Sequence, residues 1–283
     1  MPIQIRGVSH HYMQGSALQH AALSNIDLTV CDGEFLGLIG HTGSGKTTLV
    51  QHMGGILQPT AGAILVDGLN MADKKQRVLG RRKVGMVFQY PEYQLFEETV
   101  ARDIAYGPHN MGLSDAEIEA RVQEAMQLVG LPYARFAEKS PFELSGGEKR
   151  RAALAGIIAM RPKYLVLDEP MAGLDPVGRQ AILTTIDSLR QEIGCAVVMV
   201  SHSMEDIARC CDRIAVLNGG ELLRVGTPAE VFGQEDELLS IGLDLPEMCR
   251  LARALRARGV EVPSIYDVNE MAQFLLSGGG GHV

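Results

Sequence analysis

Eight consecutive residues, Gly40-His41-Thr42-Gly43-Ser44-Gly45-Lys46-Thr47, fit the pattern GxxxxGK[ST]. Glycines at this spacing let successive backbone N–H groups turn inward and wrap a phosphate at the positive end of a following helix. The last two positions suit the remaining tasks. Lys46 is placed to bridge β- and γ-phosphates, and the Thr47 hydroxyl to take one Mg²⁺ position. The motif lies between a strand-like run and a helix-like run, where a phosphate-binding turn belongs. It reads as a nucleotide-binding site.

A second group of residues supplies carboxylates. Tyr164-Leu165-Val166-Leu167-Asp168-Glu169 is an apolar strand ending in two acids, and strand tips are where α/β proteins place ligands. Asp168 is placed to hold Mg²⁺ through its water shell, because that ion dehydrates reluctantly. Glu169 is placed to orient and polarise an attacking water. Paired acids at a strand end also occur as solvated turns; the phosphate loop upstream favours the catalytic reading. Leu144-Ser145-Gly146-Gly147-Glu148 precedes a helix, and Ser145-x-x-Glu148 is by itself a capping box. A capping box has no need of two glycines, which bare the helix N-terminus to an approaching anion. Lys149, Arg150 and Arg151 either add positive charge there or form a solvated helix face.

These residues need elements to hold them. Residues 26–30 and 34–39 read as strands around the turn Cys31-Asp32-Gly33, and a helix starts near Lys46 and stops at Gly54-Gly55. Residues 64–66 and 84–88 are further strands. Near Glu97 the pattern becomes helical: Ser114-x-x-Glu117 is a capping box, followed by Ile118, Val122, Met126 and Val129 at helical spacing. Residues 164–167, 196–200 and 214–217 are continuous apolar runs, as expected of strands buried on both faces of a mainly parallel sheet. The order is strands, a helical insert over about 97–160, then alternating strands and helices, an α/β architecture. Residues 1–235 form the main domain. Residues 236–276 read as a small helical extension, with Met248, Leu251 and Leu255 on one helix face and Asp267-x-x-Glu270 opening a second helix; residues 277–283 read as a flexible tail.

Composition sets outer bounds. The chain has 283 residues, 46% hydrophobic and 21% charged, so disorder and fibrous repeats are excluded. A net charge of −8 argues against nucleic acid as a partner. The longest apolar stretch, residues 152–160, is about half of the roughly 20 residues a spanning helix needs. The N-terminus lacks the charged start and apolar core of a signal peptide, so a cytoplasmic protein is expected. Five cysteines without CxxC spacing read as buried or idle thiols in a reducing compartment.

With these motifs in order (GHTGSGKT at 40–47, Gln89, LSGGE at 144–148, YLVLDE at 164–169, AGLD at 172–175, His202), the chain resembles an ATP-binding cassette (ABC) ATPase over about residues 1–235. The resemblance implies a P-loop NTPase (RecA-like) core with an antiparallel β edge, an inserted helical subdomain and a small helical C-terminal extension. It implies that ATP is held by Gly40, His41, Thr42, Gly43, Ser44, Gly45, Lys46, Thr47 and Thr48, with Tyr12 stacked on adenine. Gln89 is implied to contact Mg²⁺ and sense the γ-phosphate, and His202 to clamp it. Leu144, Ser145, Gly146, Gly147 and Glu148 are implied to grip the ATP of a second subunit, with Asp175 at the dimer seam.

Residues 87–100 (VFQYPEYQLFEETV) and Ser140-Pro141-Phe142-Glu143 narrow the resemblance to the ATPase subunits of energy-coupling factor (ECF) transporters, most like the second of their two ATPases. That implies an importer of vitamins or transition-metal ions at the cytoplasmic face of the membrane. Its partners would be a different ABC ATPase, forming a heterodimer, a transmembrane coupling protein and a membrane substrate-binding protein. Other ABC importers share the catalytic motifs, and residues 91–100 and the C-terminal segment separate them from this group. A soluble ABC protein would carry two cassettes or a long coiled-coil insertion, and neither is seen here. Two positions depart from the pattern: Glu148 replaces the commoner Gln, and Met171 stands where Thr is usual. The aromatic run Tyr90-Pro91-Glu92-Tyr93-Gln94-Leu95-Phe96 either caps the core or presents Tyr93, Leu95 and Phe96 in a groove for a helix of the coupling protein.

Overall fold

The computed structural model describes residues 1–16, 18–263 and 265–277; the expected tail, apart from Ser277, lies outside them. The chain begins with β1 (Ile3–Tyr12), β2 (His20–Val30) and β3 (Phe35–Ile39), followed by α1 (Lys46–Met53). Next come β4 (Ala61–Val66), β5 (Leu69–Asn70), α2 (Lys74–Arg81) and β6 (Val84–Val87). The helical insert contains α3 (Val100–Asn110), α4 (Asp115–Leu128), α5 (Tyr133–Phe136) and α6 (Gly146–Ile158). The chain then alternates through β7 (Tyr164–Asp168), α7 (Pro176–Ile193), β8 (Ala196–Val200), α8 (Met204–Cys210), β9 (Arg213–Asn218) and β10 (Glu221–Gly226). It closes with α9 (Pro228–Phe232), α10 (Glu235–Ser240), α11 (Glu247–Arg256) and α12 (Val268–Leu276).

Two sheets result. The order β10-β9-β3-β8-β7-β6 makes a six-stranded sheet, parallel except where β10 pairs with β9. The order β2-β1-β4-β5 makes an antiparallel sheet of four. All residues of β3, β7 and β8 are buried, as a strand covered on both faces requires. Because successive side chains point to opposite faces, each central strand feeds two cores. Leu36 and Leu38, Tyr164 and Val166, Ala196 and Val198 join Ile3, Ile5, Leu23 and Ile64 of the antiparallel sheet, together with Leu49 and Met53 of α1. Phe35 and Ile39, Leu165 and Leu167, Val197 and Met199 face the other way. There they meet Ile104, Val122, Leu154 and Ile186 of the helices.

The C-terminal extension divides between two clusters. Leu238, Leu243, Leu245 and Cys249 belong to the second of these cores, while Ala252, Val262, Ile265 and Met271 form a small cluster of their own. On α11 the buried positions are Cys249 and Ala252, flanked by Met248 and Leu255; Leu251, expected on that face, is exposed. The packed face thus follows the i, i+4, i+7 spacing of 248, 252 and 255. All five cysteines are free thiols, with Cys195, Cys211 and Cys249 buried.

Candidate active site

The site is built where β3, β7 and β8 end side by side. β3 runs directly into the loop of residues 40–45, which opens α1 at Lys46. Two of the loop glycines are demanded by the chain's own packing. A Cβ on Gly40 would lie 2.4 Å from both the Leu217 carbonyl oxygen and Ser44 Oγ. Gly45 has φ 102°, and a Cβ there would lie 2.6 Å from the Ala22 carbonyl oxygen. Inside the loop, the buried Lys46 Nζ donates to the carbonyls of Gly40 (2.6 Å) and His41 (2.9 Å). Burial holds this ammonium below the usual lysine range, and the Glu169 and Asp168 carboxylates pull it back up. His41 Nε2 lies 3.1 Å from Asn218 Oδ1, tying the loop to the end of β9.

Asp168 is the last residue of β7 and is 6% exposed. Burial raises its pKa, Glu169 adds to the rise, and the Thr47 hydroxyl, Lys46 and His202 oppose it. Glu169 follows with φ 50°, a left-handed conformation that costs a non-glycine residue roughly 1–3 kcal/mol. Its N–H donates to the Val200 carbonyl at 3.1 Å, which fastens the turn to the end of β8. The carboxylate is held on two sides. Oε1 lies 2.8 Å from His202 Nε2, and Oε2 accepts from Gln89 Nε2 at 3.5 Å.

A cavity of about 270 Å³ runs past this group, lined by Tyr12, Thr42, Gly43, Lys46, Thr47, Thr48, Glu169 and His202. Tyr12 borders it with its ring edge-on to His10 (centroids 4.6 Å) and its hydroxyl 3.2 Å from Thr48 Oγ1. A lysine inside a glycine-rich loop, next to a buried acid and a second acid paired with histidine, can hold a polyphosphate and activate water beside it. The donors also fit Mg²⁺: the Thr47 hydroxyl, Gln89 amide oxygen and Asp168 carboxylate are hard oxygen ligands beside a phosphate cradle. A buried carboxylate whose pKa is raised is a group that a cation would stabilise.

The ABC transporter family profile matches residues 23–172. The chain belongs to the ABC transporter ATPase family. The "energy-coupling factor transporter ATP-binding protein EcfA2" of Clostridium perfringens is 52% identical over 98% of both chains. The protein of that name from Caldanaerobacter subterraneus is 51% identical over 98% of this chain and 97% of its own. Among solved structures, cbiO1 of Clostridium perfringens, described as part of the ABC transporter complex cbiONQ, superposes with a TM-score of 0.74. It is 33% identical and covers 88% of this chain and 97% of its own. An ATP-binding cassette solved as a dimer in a post-hydrolysis state with ADP and Pi gives 0.71 at 29% identity, covering 80% and 98%. Within the family this chain groups with the ECF ATP-binding subunits, and it is an ATP-binding ATPase with the expected P-loop NTPase core.

In this ABC ATPase the segment 144–148 stands apart from the cavity at Lys46 and Glu169, and so does Asp175; none of these residues lines it. Ser145 caps α6, its Oγ accepting from the Glu148 N–H at 3.3 Å while Glu148 Oε2 accepts from the Ser145 N–H at 2.8 Å. The capping box is therefore real. Yet among the described residues a Cβ on Gly146 or Gly147 would meet nothing within 4 Å, so none of them requires glycine there. Leu144 is buried and anchors the segment. Asp175 is exposed and caps α7, accepting from the Gly178 N–H at 2.8 Å.

Two sequence expectations need correction. Of the aromatic run, Leu95 is 9% exposed and sits in the core, whereas Tyr93 (85%) and Phe96 (59%) are exposed. A groove of about 530 Å³ takes Leu95 and Phe96 into its lining with Tyr106, Ile157 and Met160, but not Tyr93, which packs near Tyr90 instead. Arg150, read as a local charge or a solvated face, is 4% exposed. His20 and Ala22 line the cavity and Asn218 contacts its loop through His41; none carries a sequence signal, because only the fold brings β2 and the end of β9 to the loop.

Proposed function

We propose that this chain is the ATP-hydrolysing, energy-coupling subunit of an ECF-type importer for vitamins or transition-metal ions. The observation that carries the reading is the convergence of Lys46, Glu169 and His202 on one cavity, with Gln89 bonded to Glu169 and Asp168 facing Thr47 and Lys46, while residues 144–148 do not line that cavity. Residues 40–48 hold the phosphates, Tyr12 stacks on the adenine, and Thr47, Gln89 and Asp168 (through water) hold Mg²⁺, which supplies charge neutralisation to the phosphates when bound. Glu169 accepts the proton of the attacking water, and His202 positions that carboxylate and clamps the γ-phosphate.

The bare glycines at 146 and 147 support a site completed between subunits. Ser145, Gly147 and the rest of 144–148 grip the nucleotide of a second ABC ATPase, with Asp175 at the seam, and the pair is a heterodimer. The cassette spans 1–235, with the extension from 236. Among the described residues no helix is long and apolar enough to cross a membrane. The chain works at the cytoplasmic face of the membrane, as a peripheral subunit beside a transmembrane coupling protein and a membrane substrate-binding protein. A short helix of the coupling protein fills the groove at Phe96. Co-purification from membranes, with each band identified, tests this assembly: a second ATPase and two membrane proteins are expected. A chain recovered alone or as a homodimer, with full activity, contradicts it.

A further inference from the structure

Among the described residues, the buried cation Arg150 lies outside the proposed chemistry. Arg150 lies in the second turn of α6, whose cap is Ser145, and its guanidinium is shared by two segments distant in sequence. Nε and Nη2 donate to Glu92 Oε2 (3.1 Å) and Oε1 (2.9 Å) in a two-pronged pair. Nη1 donates to the carbonyls of Ala172 (2.8 Å) and Pro170 (3.3 Å). Glu92 sits three residues after Gln89 and three before Leu95. Pro170 and Ala172 belong to the turn that holds Glu169 at φ 50°, closed by the Ala172 N–H donating to the Glu169 carbonyl at 3.2 Å. The Tyr90 ring, with its centroid 5.9 Å from the guanidinium carbon, covers the same group.

We infer that Arg150 is a positioning residue that fixes Glu169 for hydrolysis and binds its position to those of Gln89, the Phe96 groove and the Ser145 segment. A guanidinium fork matches a carboxylate on one edge and carbonyls on the other, and its geometry is planar and rigid. Removing one partner of a buried, hydrogen-bonded pair leaves a charge uncompensated, so Glu92 and α6 move together or not at all. Displacement of Gln89 therefore reaches the groove and α6 through one side chain. The carbonyl contacts return the same constraint to the turn that aims Glu169.

The inference rests on the proposed role of Glu169 as the water-activating base. Its test is made in the complex co-purified with the membrane partners, on Arg150→Lys, Glu92→Gln and Glu169→Gln in parallel. Arg150→Lys keeps the charge and loses the fork. We expect kcat to fall by about 10- to 100-fold, the scale of a misplaced reacting group, with KM for ATP unchanged. Glu92→Gln keeps the carbonyl contacts. It should retain most ATPase activity while transport per ATP hydrolysed falls severalfold, and it keeps the inference testable if Arg150→Lys does not fold. A conservative core variant remote from the site, Ile5→Val, is the stability control. Wild-type kcat and transport per ATP in both Arg150→Lys and Glu92→Gln overturn the inference. So does a kcat loss that Ile5→Val reproduces at an equal loss of melting temperature. If Glu169→Gln abolishes turnover while Arg150→Lys does not reduce it, the inference fails and the proposed chemistry stands. If Glu169→Gln turns over normally, the chemistry itself fails.

Discussion

Neighbouring residues Leu95 and Phe96 should respond in opposite ways to the same substitution. Leu95 is 9% exposed and packs in the helical core, so Leu95→Asp drives a carboxylate into apolar surroundings. Truncating a buried leucine already costs about 2–5 kcal/mol, and an unpaired charge adds to that. Against a total stability of roughly 5–15 kcal/mol, the variant should melt far lower or fail to fold. Phe96 is 59% exposed, and its clearest internal contact is the edge-on Tyr106 ring at 4.9 Å. Losing such an aromatic pair costs about 0.5–1.5 kcal/mol, so Phe96→Asp should stay folded. At the centre of a docking groove, however, an aromatic anchor is worth about 2 kcal/mol or more, a weakening of roughly 30-fold. Thermal melting, nucleotide binding by the isolated subunit and co-purification with the membrane partners should be measured on both variants. Phe96→Asp should bind nucleotide normally and lose assembly. A stable Phe96→Asp that assembles and transports normally refutes the groove as the docking site. A Leu95→Asp as stable as wild type refutes the packing argument.

Four other variants probe the nucleotide site. Lys46→Ala removes a charge-assisted contact to the β- and γ-phosphates worth about 1.5–3 kcal/mol, so ATP affinity should drop by roughly 10- to 100-fold; equal affinities by titration would mean the loop is not a phosphate cradle. Gly147→Arg should leave melting temperature and ATP binding unchanged, because nothing lies within 4 Å of the added Cβ. Ser145→Arg should also lose about 1 kcal/mol with the helix cap. Both should abolish ATP-driven pairing with the second subunit, and pairing that survives both disproves the shared site. Burial holds the Asp168 carboxyl above its ordinary range. Its contribution to nucleotide-free stability is thus fully present below about pH 4 and lost as pH rises through the folded value. Asp168→Asn should flatten that decline in melting temperature between pH 4 and 8; identical slopes would contradict the assignment.

Motifs carried by short-range chemistry were legible in the sequence. The loop 40–47, the strand ending at Asp168, the capping boxes at Ser114 and Ser145, and β8 lie where the pattern places them. What escaped lacks a local signal. β1 alternates apolar and polar residues, but register shifts between Ile5 and Val8 and again to His10 break the period. α2 buries only Gly80, so no apolar stripe marks it. Arg150 shares its charged surroundings with Lys149 and Arg151, and only the fold brings Glu92 and the Ala172 carbonyl to it. Leu95 and Phe96 are adjacent and both apolar. Leu95 has extended backbone (φ −74°, ψ 127°), in which successive side chains point to opposite sides, so one enters the core and the other faces out.

The proposed chemistry turns on Glu169 as the base that activates water. The decisive measurement is steady-state ATPase activity of the assembled complex carrying Glu169→Gln, read together with nucleotide retention. The amide keeps the shape and cannot take the proton, so turnover should fall by about 10²–10⁴-fold while ATP stays bound and the two ATPases remain paired. Turnover close to wild type, with the complex intact, would contradict it.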